Sequence, residues 1–182
     1  EHLKSFDPIL KNALERIDDV YDIKLLAIYD IDSLGKWSDG APDIDIEHVQ
    51  HSKSKDWSRI HRTLMDADIG LVPAGGSLSY DARDELLRQT TDLFTPWTRN
   101  DYIQRFKSNS NAGRAFVFMQ LGIPVVATPI SELRFVIDEG KTGFTAMTEE
   151  AWVDSITRLH QSVQLREGIA RNAYELMNGR YS

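Results

Sequence analysis

Short apolar segments alternate along this chain with stretches of helical periodicity. The runs at 23–29, 69–72 and 124–128 are brief and almost wholly apolar, as strands buried on both faces of a parallel sheet are. Helical patterns lie between and after them, at 7–21, 57–66, 111–121, 148–160 and 163–177. Strands that alternate with helices pack as a sheet covered on both faces. The pattern therefore predicts an α/β fold with a doubly wound, mostly parallel sheet.

Local signals set several expected boundaries. Asp7 followed by Pro8 predicts the start of the first helix, because Asp caps helices and proline fits their first position. Strict alternation of acidic and apolar residues over 43–49 predicts an edge strand with one wet face. Ser131 is expected to cap a helix over 131–138.

The segment 77–106 interrupts the alternation. It carries two helical patterns and no strand signal, so it is expected to be a helical insertion on a single domain that covers 1–182. Trp97 and Tyr102 lie in it and have two interpretations: they bind an acceptor sugar by stacking, or they pack the insertion onto the domain.

Charge and composition exclude several classes of protein. The chain has 21 Lys and Arg against 28 Asp and Glu, and this net charge of −7 argues against a nucleic-acid partner. The absence of cysteine excludes disulfides and thiolate metal sites, and it favours a cytoplasmic location. His48 and His51 are too few for a metal site, which needs three or four convergent ligands, so no metal is expected.

The most informative stretch is KSNSNAGRAFVFMQLGIPVVAT, residues 107–128. A polar loop enters an apolar helix there, and a helix amino terminus presents free N–H groups and partial positive charge. Lys107 and Arg114 add full charge, and Gly113 permits close backbone approach. The pattern predicts a phosphate or sugar-phosphate site; the alternative is an ordinary helix cap with two solvated cations.

These residues resemble the carboxyl-terminal half of GT-B fold glycosyltransferases of glycosyl transferase group 1 (family 4-like), a Rossmann-like domain. The turn 137–144 (IDEGKTGF) and the helices at 152–159 and 165–173 are similar to that family in order and spacing. The likeness covers 66–182 apart from the insertion. It implies a donor-binding loop, for which the candidates are Lys107, Ser108, Asn109, Asn111, Gly113 and Arg114.

The resemblance also implies an activity. A retaining, metal-independent enzyme would transfer a hexosyl group from a UDP or GDP sugar to a glycan or lipid-linked acceptor, as in polysaccharide biosynthesis, without a cofactor. The acceptor would sit on an amino-terminal domain that this chain does not contain, so the isolated domain would be inactive. Peripheral membrane association of the full-length protein stays open. His51 and Gly75 are further candidates, for the nucleotide pocket.

Two departures from the family pattern keep alternatives open. Many members carry a pair of glutamates at the positions of Asn109 and Val117, and this chain lacks both. A non-catalytic nucleotide or phosphosugar-binding module and a GT-B fold sugar-nucleotide epimerase are therefore alternatives, and no catalytic residue is assigned.

The second departure concerns the sheet. The resemblance expects a central strand ahead of the first helix, between the strands at 23–29 and 69–72, and the chain starts at Glu1, too late to contain it. Without that central strand, the strands at 23–29 and 69–72 would each have an unpaired edge, and buried backbone groups left without hydrogen bonds cost folding free energy. We therefore expect these two strands not to pair directly, and expect the chain to be part of a longer protein or the gap to be filled by another segment or chain.

Overall fold

A computed structural model describes residues 7–29, 31, 40–51, 57–73 and 112–180. The helices within these ranges are α1 Pro8–Tyr21, α2 Trp57–Met65, α3 Ala112–Gln120, α4 Glu149–Gln161 and α5 Val163–Arg180. The strands are β1 Lys24–Tyr29, β2 Asp45–Gln50, β3 Gly70–Val72, β4 Val125–Ala127 and β5 Phe144–Thr145. The predicted insertion, with Trp97 and Tyr102, lies outside the described residues.

Every strand pairing in the described ranges is parallel. β1 pairs with β2 over their whole length, from Lys24 opposite Asp45 to Tyr29 opposite Gln50. β3, β4 and β5 form a second sheet in that order. The predicted α/β fold with a parallel sheet is thus confirmed. The edge strand predicted over 43–49 is present as β2, Asp45–Gln50, which pairs only with β1 among the described residues and leaves Asp45 and Glu47 exposed.

Helices cover both faces of the sheet that β3, β4 and β5 form. Val126 of β4 belongs to a core cluster with α1 and α4, and its neighbours Val125 and Ala127 belong to a second cluster with α3 and α5. Alternate residues of a strand point to opposite faces, so this division places α1 and α4 on one face and α3 and α5 on the other. None of the helices in the described ranges has the length and apolarity needed to cross a bilayer.

The predicted helix starts at 7 and 148 are confirmed. The Asp7 carboxylate accepts the N–H groups of Ile9 and Leu10 at 2.9 and 3.3 Å, and the Thr148 hydroxyl accepts that of Ala151 at 3.2 Å. Each cap satisfies amide groups that have no partner inside the helix.

The predicted helix over 131–138 is wrong. Only a single 3₁₀ turn forms, at Leu133–Phe135, and Ser131 does not cap it. The Thr142 hydroxyl accepts the Asp138 N–H at 2.8 Å and donates to the Val136 carbonyl at 2.7 Å. Because this side chain takes up those backbone groups, the chain turns back toward β5 instead of continuing as a helix.

The stretch 111–121 is apolar nearly all round, which is typical of a buried helix, but α3 is buried only in part. Ala112, Ala115 and Met119 are buried, whereas Val117 is 37% exposed. Among the described elements, α3 packs against β3, β4 and α5.

β1 and β3 do not pair with each other. Among the residues that the structure describes, β1 pairs with β2 alone and β3 with β4 alone. This agrees with the expectation that the strands near 23 and 69 are not direct neighbours.

We predict that Gly70→Ala destabilises the protein by about 1–3 kcal/mol, the usual cost of overpacking. A Cβ atom at Gly70 would lie 2.6 Å from Cγ of Phe118, an atom near the base of the ring that cannot swing away. Thermal unfolding checks this. The matched control is Gly168→Ala in α5, where a Cβ meets nothing within 4 Å and the substitution should be neutral or stabilising. Equal melting temperatures for the two variants would contradict the prediction.

Candidate functional site

The amino terminus of α3 lies at the carboxyl edge of β3 and β4. The Phe118 ring, in the second half of α3, covers Gly70 at the beginning of β3. The Phe118 carbonyl also accepts the N–H of Ile123, just before β4 begins. The carboxyl-terminal half of the helix is therefore at the amino edge of the sheet, and Ala112 is at the opposite edge, where ligands of parallel α/β sheets bind.

Arg114 can be placed more closely. It precedes Phe118 by four residues, so both side chains lie on the same side of the helix, about 6 Å apart along its axis. The path from Gly70 to Val72 along β3 covers a similar distance, about 7 Å. Since Phe118 is level with Gly70, Arg114 is level with Val72, the last residue of β3.

The surroundings of Arg114 favour an anion. The residue is exposed overall, yet desolvation by the protein around its guanidinium lowers the pKa from its ordinary value. A guanidinium stays protonated at neutral pH even so. Within the described residues, Arg114 has no hydrogen bond and no ion pair. An anion at the carboxyl edge would give this guanidinium a partner of opposite charge.

Gly113 presents open backbone beside this cation. It is exposed, and a Cβ atom built on it meets nothing within 4 Å. A ligand oxygen therefore has room to approach the first turn of α3, whose N–H groups have no partner within the helix.

The other predicted residues of the loop lie outside the described ranges. These are Lys107, Ser108, Asn109, Asn111 and, after β3, Gly75. Their roles stay predictions.

His51 follows β2 at the same edge of the sheet, but on the far side of β1. Its N–H donates to the Tyr29 carbonyl at 2.8 Å, and its own carbonyl accepts from the Gln50 side chain at 3.2 Å. The structure brings His51 to the carboxyl edge, and the break between the two sheets separates it from α3. Its place in a nucleotide pocket stays a prediction.

A polar pair that the sequence did not indicate lies just below this edge. The Tyr29 hydroxyl and Nδ1 of His48 are 2.8 Å apart, and Tyr29 is only 5% exposed. Parallel register sets Ala27 opposite His48, so Tyr29 is two residues along on the same face. The register of β1 and β2 would have revealed this pair; the spacing of the histidines alone does not.

In the part of the chain that the structure describes, no three His, Asp or Glu side chains come together as metal ligands would. The features present at the carboxyl edge are a helix amino terminus, an open glycine and a cation. Together they suit a phosphate or diphosphate group.

Comparison with known proteins gives one solved structure to report. It is the C-terminal domain of a glycosyl transferase group 1 family protein (LpcC) from Francisella tularensis, which is 12% identical to this chain. The alignment covers 100% of this chain and 98% of that one, with a TM-score of 0.40. No protein-family model matches the chain, and no curated protein does. The fold described above rests on this chain's own strands and helices.

Proposed function

We propose that this chain is the nucleotide-sugar donor-binding domain of a glycosyltransferase. The observation that carries the proposal is the position of Arg114, an exposed cation on the first turn of α3, level with the end of β3, with no hydrogen bond or ion pair among the described residues. The diphosphate of a UDP or GDP sugar supplies the matching anion, and the order of motifs along 107–144 supports the sugar.

The chemistry follows from the charge that develops as the glycosidic bond to the diphosphate breaks. The leaving diphosphate gains negative charge, and N–H groups at a helix amino terminus together with Arg114 stabilise it without reorganising. Lys107 is proposed to add a second cation. The same proposal includes the reaction: a hexosyl group is transferred with retention of configuration and without a metal. The acceptor is a glycan or a lipid-linked molecule held by another domain.

Calorimetric titration of the intact protein with UDP, GDP and their sugars tests the proposal. Binding of one nucleotide with its sugar is the expected result. A folded intact protein that binds none of them would overturn it.

We predict that Gly113→Ala weakens donor binding about tenfold without destabilising the fold. The added methyl occupies the open space through which a ligand oxygen reaches the first turn, whereas alanine in a helix is up to about 1 kcal/mol more favourable than glycine. Titration and thermal unfolding of the same sample separate the two effects. Unchanged affinity would show that no ligand approaches this turn.

A non-catalytic nucleotide-binding module is the second candidate. Val117 favours it, because this exposed position carries no carboxylate where many members of the family have a glutamate. Both candidates bind the nucleotide, and only the enzyme consumes the sugar donor. Release of free nucleoside diphosphate by the intact protein in the presence of a range of acceptors distinguishes them.

A further inference from the structure

Gln50, the last residue of β2, joins the two segments that leave β1 and β2. Its side-chain carbonyl accepts the N–H of Ile31 at 2.7 Å, two residues beyond the end of β1. Its side-chain nitrogen donates to the carbonyl of His51 at 3.2 Å, the residue that follows β2. One amide group therefore fixes both segments where they leave the sheet.

His51 is held at both of its backbone polar groups. Its N–H donates to the Tyr29 carbonyl at 2.8 Å, and its C=O accepts from Gln50. Because peptide groups are planar, anchoring the groups on both sides of the Cα atom restricts φ and ψ together. The half-buried imidazole of His51 consequently leaves the backbone in a preset direction.

The side chains next to Gln50 are fixed as well. Tyr29, His48 and Gln50 lie on one face of the strands, because Ala27 is opposite His48 and Tyr29 is opposite Gln50. The Tyr29 hydroxyl and Nδ1 of His48 are 2.8 Å apart, and the two rings meet edge to face. Farther from the carboxyl edge the same face is apolar, since Leu25 packs against the core cluster of α1 and α4. Polar groups thus gather where this face reaches the carboxyl edge.

The strand order places these groups at one end of a crevice. Ile28 of β1 packs against the same cluster as Phe118, which covers Gly70 of β3, so β1 and β3 border the break. β2 extends the sheet from β1 in one direction, and β4 and β5 extend it from β3 in the other. Doubly wound sheets bind nucleotides at the carboxyl edge where the strand order reverses. A nucleotide whose diphosphate lies at Arg114 therefore has one end beside the segments that leave β1 and β2.

We infer that Gln50 is a positioning residue for the nucleoside: it fixes the backbone of His51 so that the imidazole stacks on the base. An imidazole is flat and aromatic, and such side chains stack on bases of every kind. A side chain that is already held in place loses less conformational freedom on binding. Gln50 acts through His51 and does not itself contact the ligand. This inference rests on the proposed function and adds a residue to its site.

A double-mutant cycle on the intact protein tests the inference, with UDP and GDP as the titrated ligands. Gln50→Met keeps the length of the side chain and deletes both hydrogen bonds, and it should weaken binding of the preferred nucleotide about tenfold. His51→Ala should weaken it by a similar factor, and the double variant little further, because both changes remove the same stacking contact. Losses that multiply to about 100-fold would overturn the inference, as would unchanged affinity of the Gln50→Met protein.

Inorganic pyrophosphate distinguishes positioning from a general structural role. It has no nucleoside, so it should compete for the site equally well in the original and Gln50→Met proteins. An equal loss of pyrophosphate and nucleotide affinity would show that Gln50 acts on the fold instead. If Gln50→Met does not fold, Gln50→Glu takes its place in the cycle, because it keeps an acceptor for the Ile31 N–H and loses the donor to His51.

Gln161→Ala is the matched control. It deletes another hydrogen-bonded amide, which donates to the Tyr21 hydroxyl at 2.6 Å near the amino edge of the sheet, and it should leave nucleotide affinity unchanged. An intact protein that binds no nucleotide would overturn the proposed function and this inference together. If the nucleotide binds and the Gln50→Met and Gln161→Ala proteins hold it equally well, the proposed function stands and the role of Gln50 is wrong.

Discussion

Arg114→Ala is expected to weaken binding of the nucleotide-sugar donor by about 10- to 100-fold, with little change in stability. A hydrogen bond to a charged group contributes about 1.5–3 kcal/mol, and the positive end of the helix dipole adds to the attraction for an anion. The side chain has no hydrogen bond or ion pair within the described ranges, so its removal there breaks neither kind of interaction. Calorimetric titration of the intact protein with the nucleotide found to bind gives the affinity.

Two variants sharpen this test. Arg171→Ala removes another exposed arginine, from α5, next to Asn172, whose side chain donates to the Lys141 carbonyl in the turn before β5, at the opposite edge of the sheet. This variant changes the net charge of the protein by the same amount as Arg114→Ala, and it should leave the affinity for the donor unchanged. Arg114→Lys keeps the charge but loses the planar fork, so an intermediate affinity is expected. Equal affinities of the Arg114→Ala and Arg171→Ala proteins would remove Arg114 from the site.

Trp152→Ala is expected to destabilise the protein by about 3–5 kcal/mol, the range for truncating a large buried aromatic side chain. Trp152 is 1% exposed and belongs to the cluster that joins α1, α4 and the sheet. A loss of this size is a large part of the stability of an ordinary domain, about 5–15 kcal/mol. Urea unfolding followed by circular dichroism measures it.

Two further variants separate the effect of burial at this position from the effect of side-chain size. Val163→Ala truncates a residue on α5 that is 52% exposed, and it should change stability by less than about 0.5 kcal/mol. Trp152→Phe keeps an aromatic ring and should lose less than the alanine variant. A Trp152→Ala protein as stable as the Val163→Ala protein would show that this core cluster contributes little.

Local signals predicted the elements whose boundaries depend on nearby residues. Asp7 and Thr148 cap helices because their side chains bond amides only two or three residues away, and the sequence shows that spacing directly. The core role of Trp152 was equally visible, from the helical spacing of its apolar neighbours.

The prediction of a helix over 131–138 failed because the side chain of a residue farther along the chain bonds backbone groups that a helix would use. Nothing near Ser131 indicates that Thr142 takes the Val136 carbonyl and stops a helix from forming. The exposure of Val117 likewise depends on where α5 packs, which the sequence of α3 does not contain.

For the candidate site, the sequence alone determined which residues are present: a cation, a glycine and a polar loop at the start of an apolar helix. It also determined that strands and helices alternate around them. Periodicity and capping act over a few residues, and a linear pattern records them. The tertiary structure alone decided that Arg114 is level with the end of β3 and that the Tyr29 hydroxyl meets Nδ1 of His48. Those facts depend on strand register and on packing between distant segments, which have no fixed spacing along the chain.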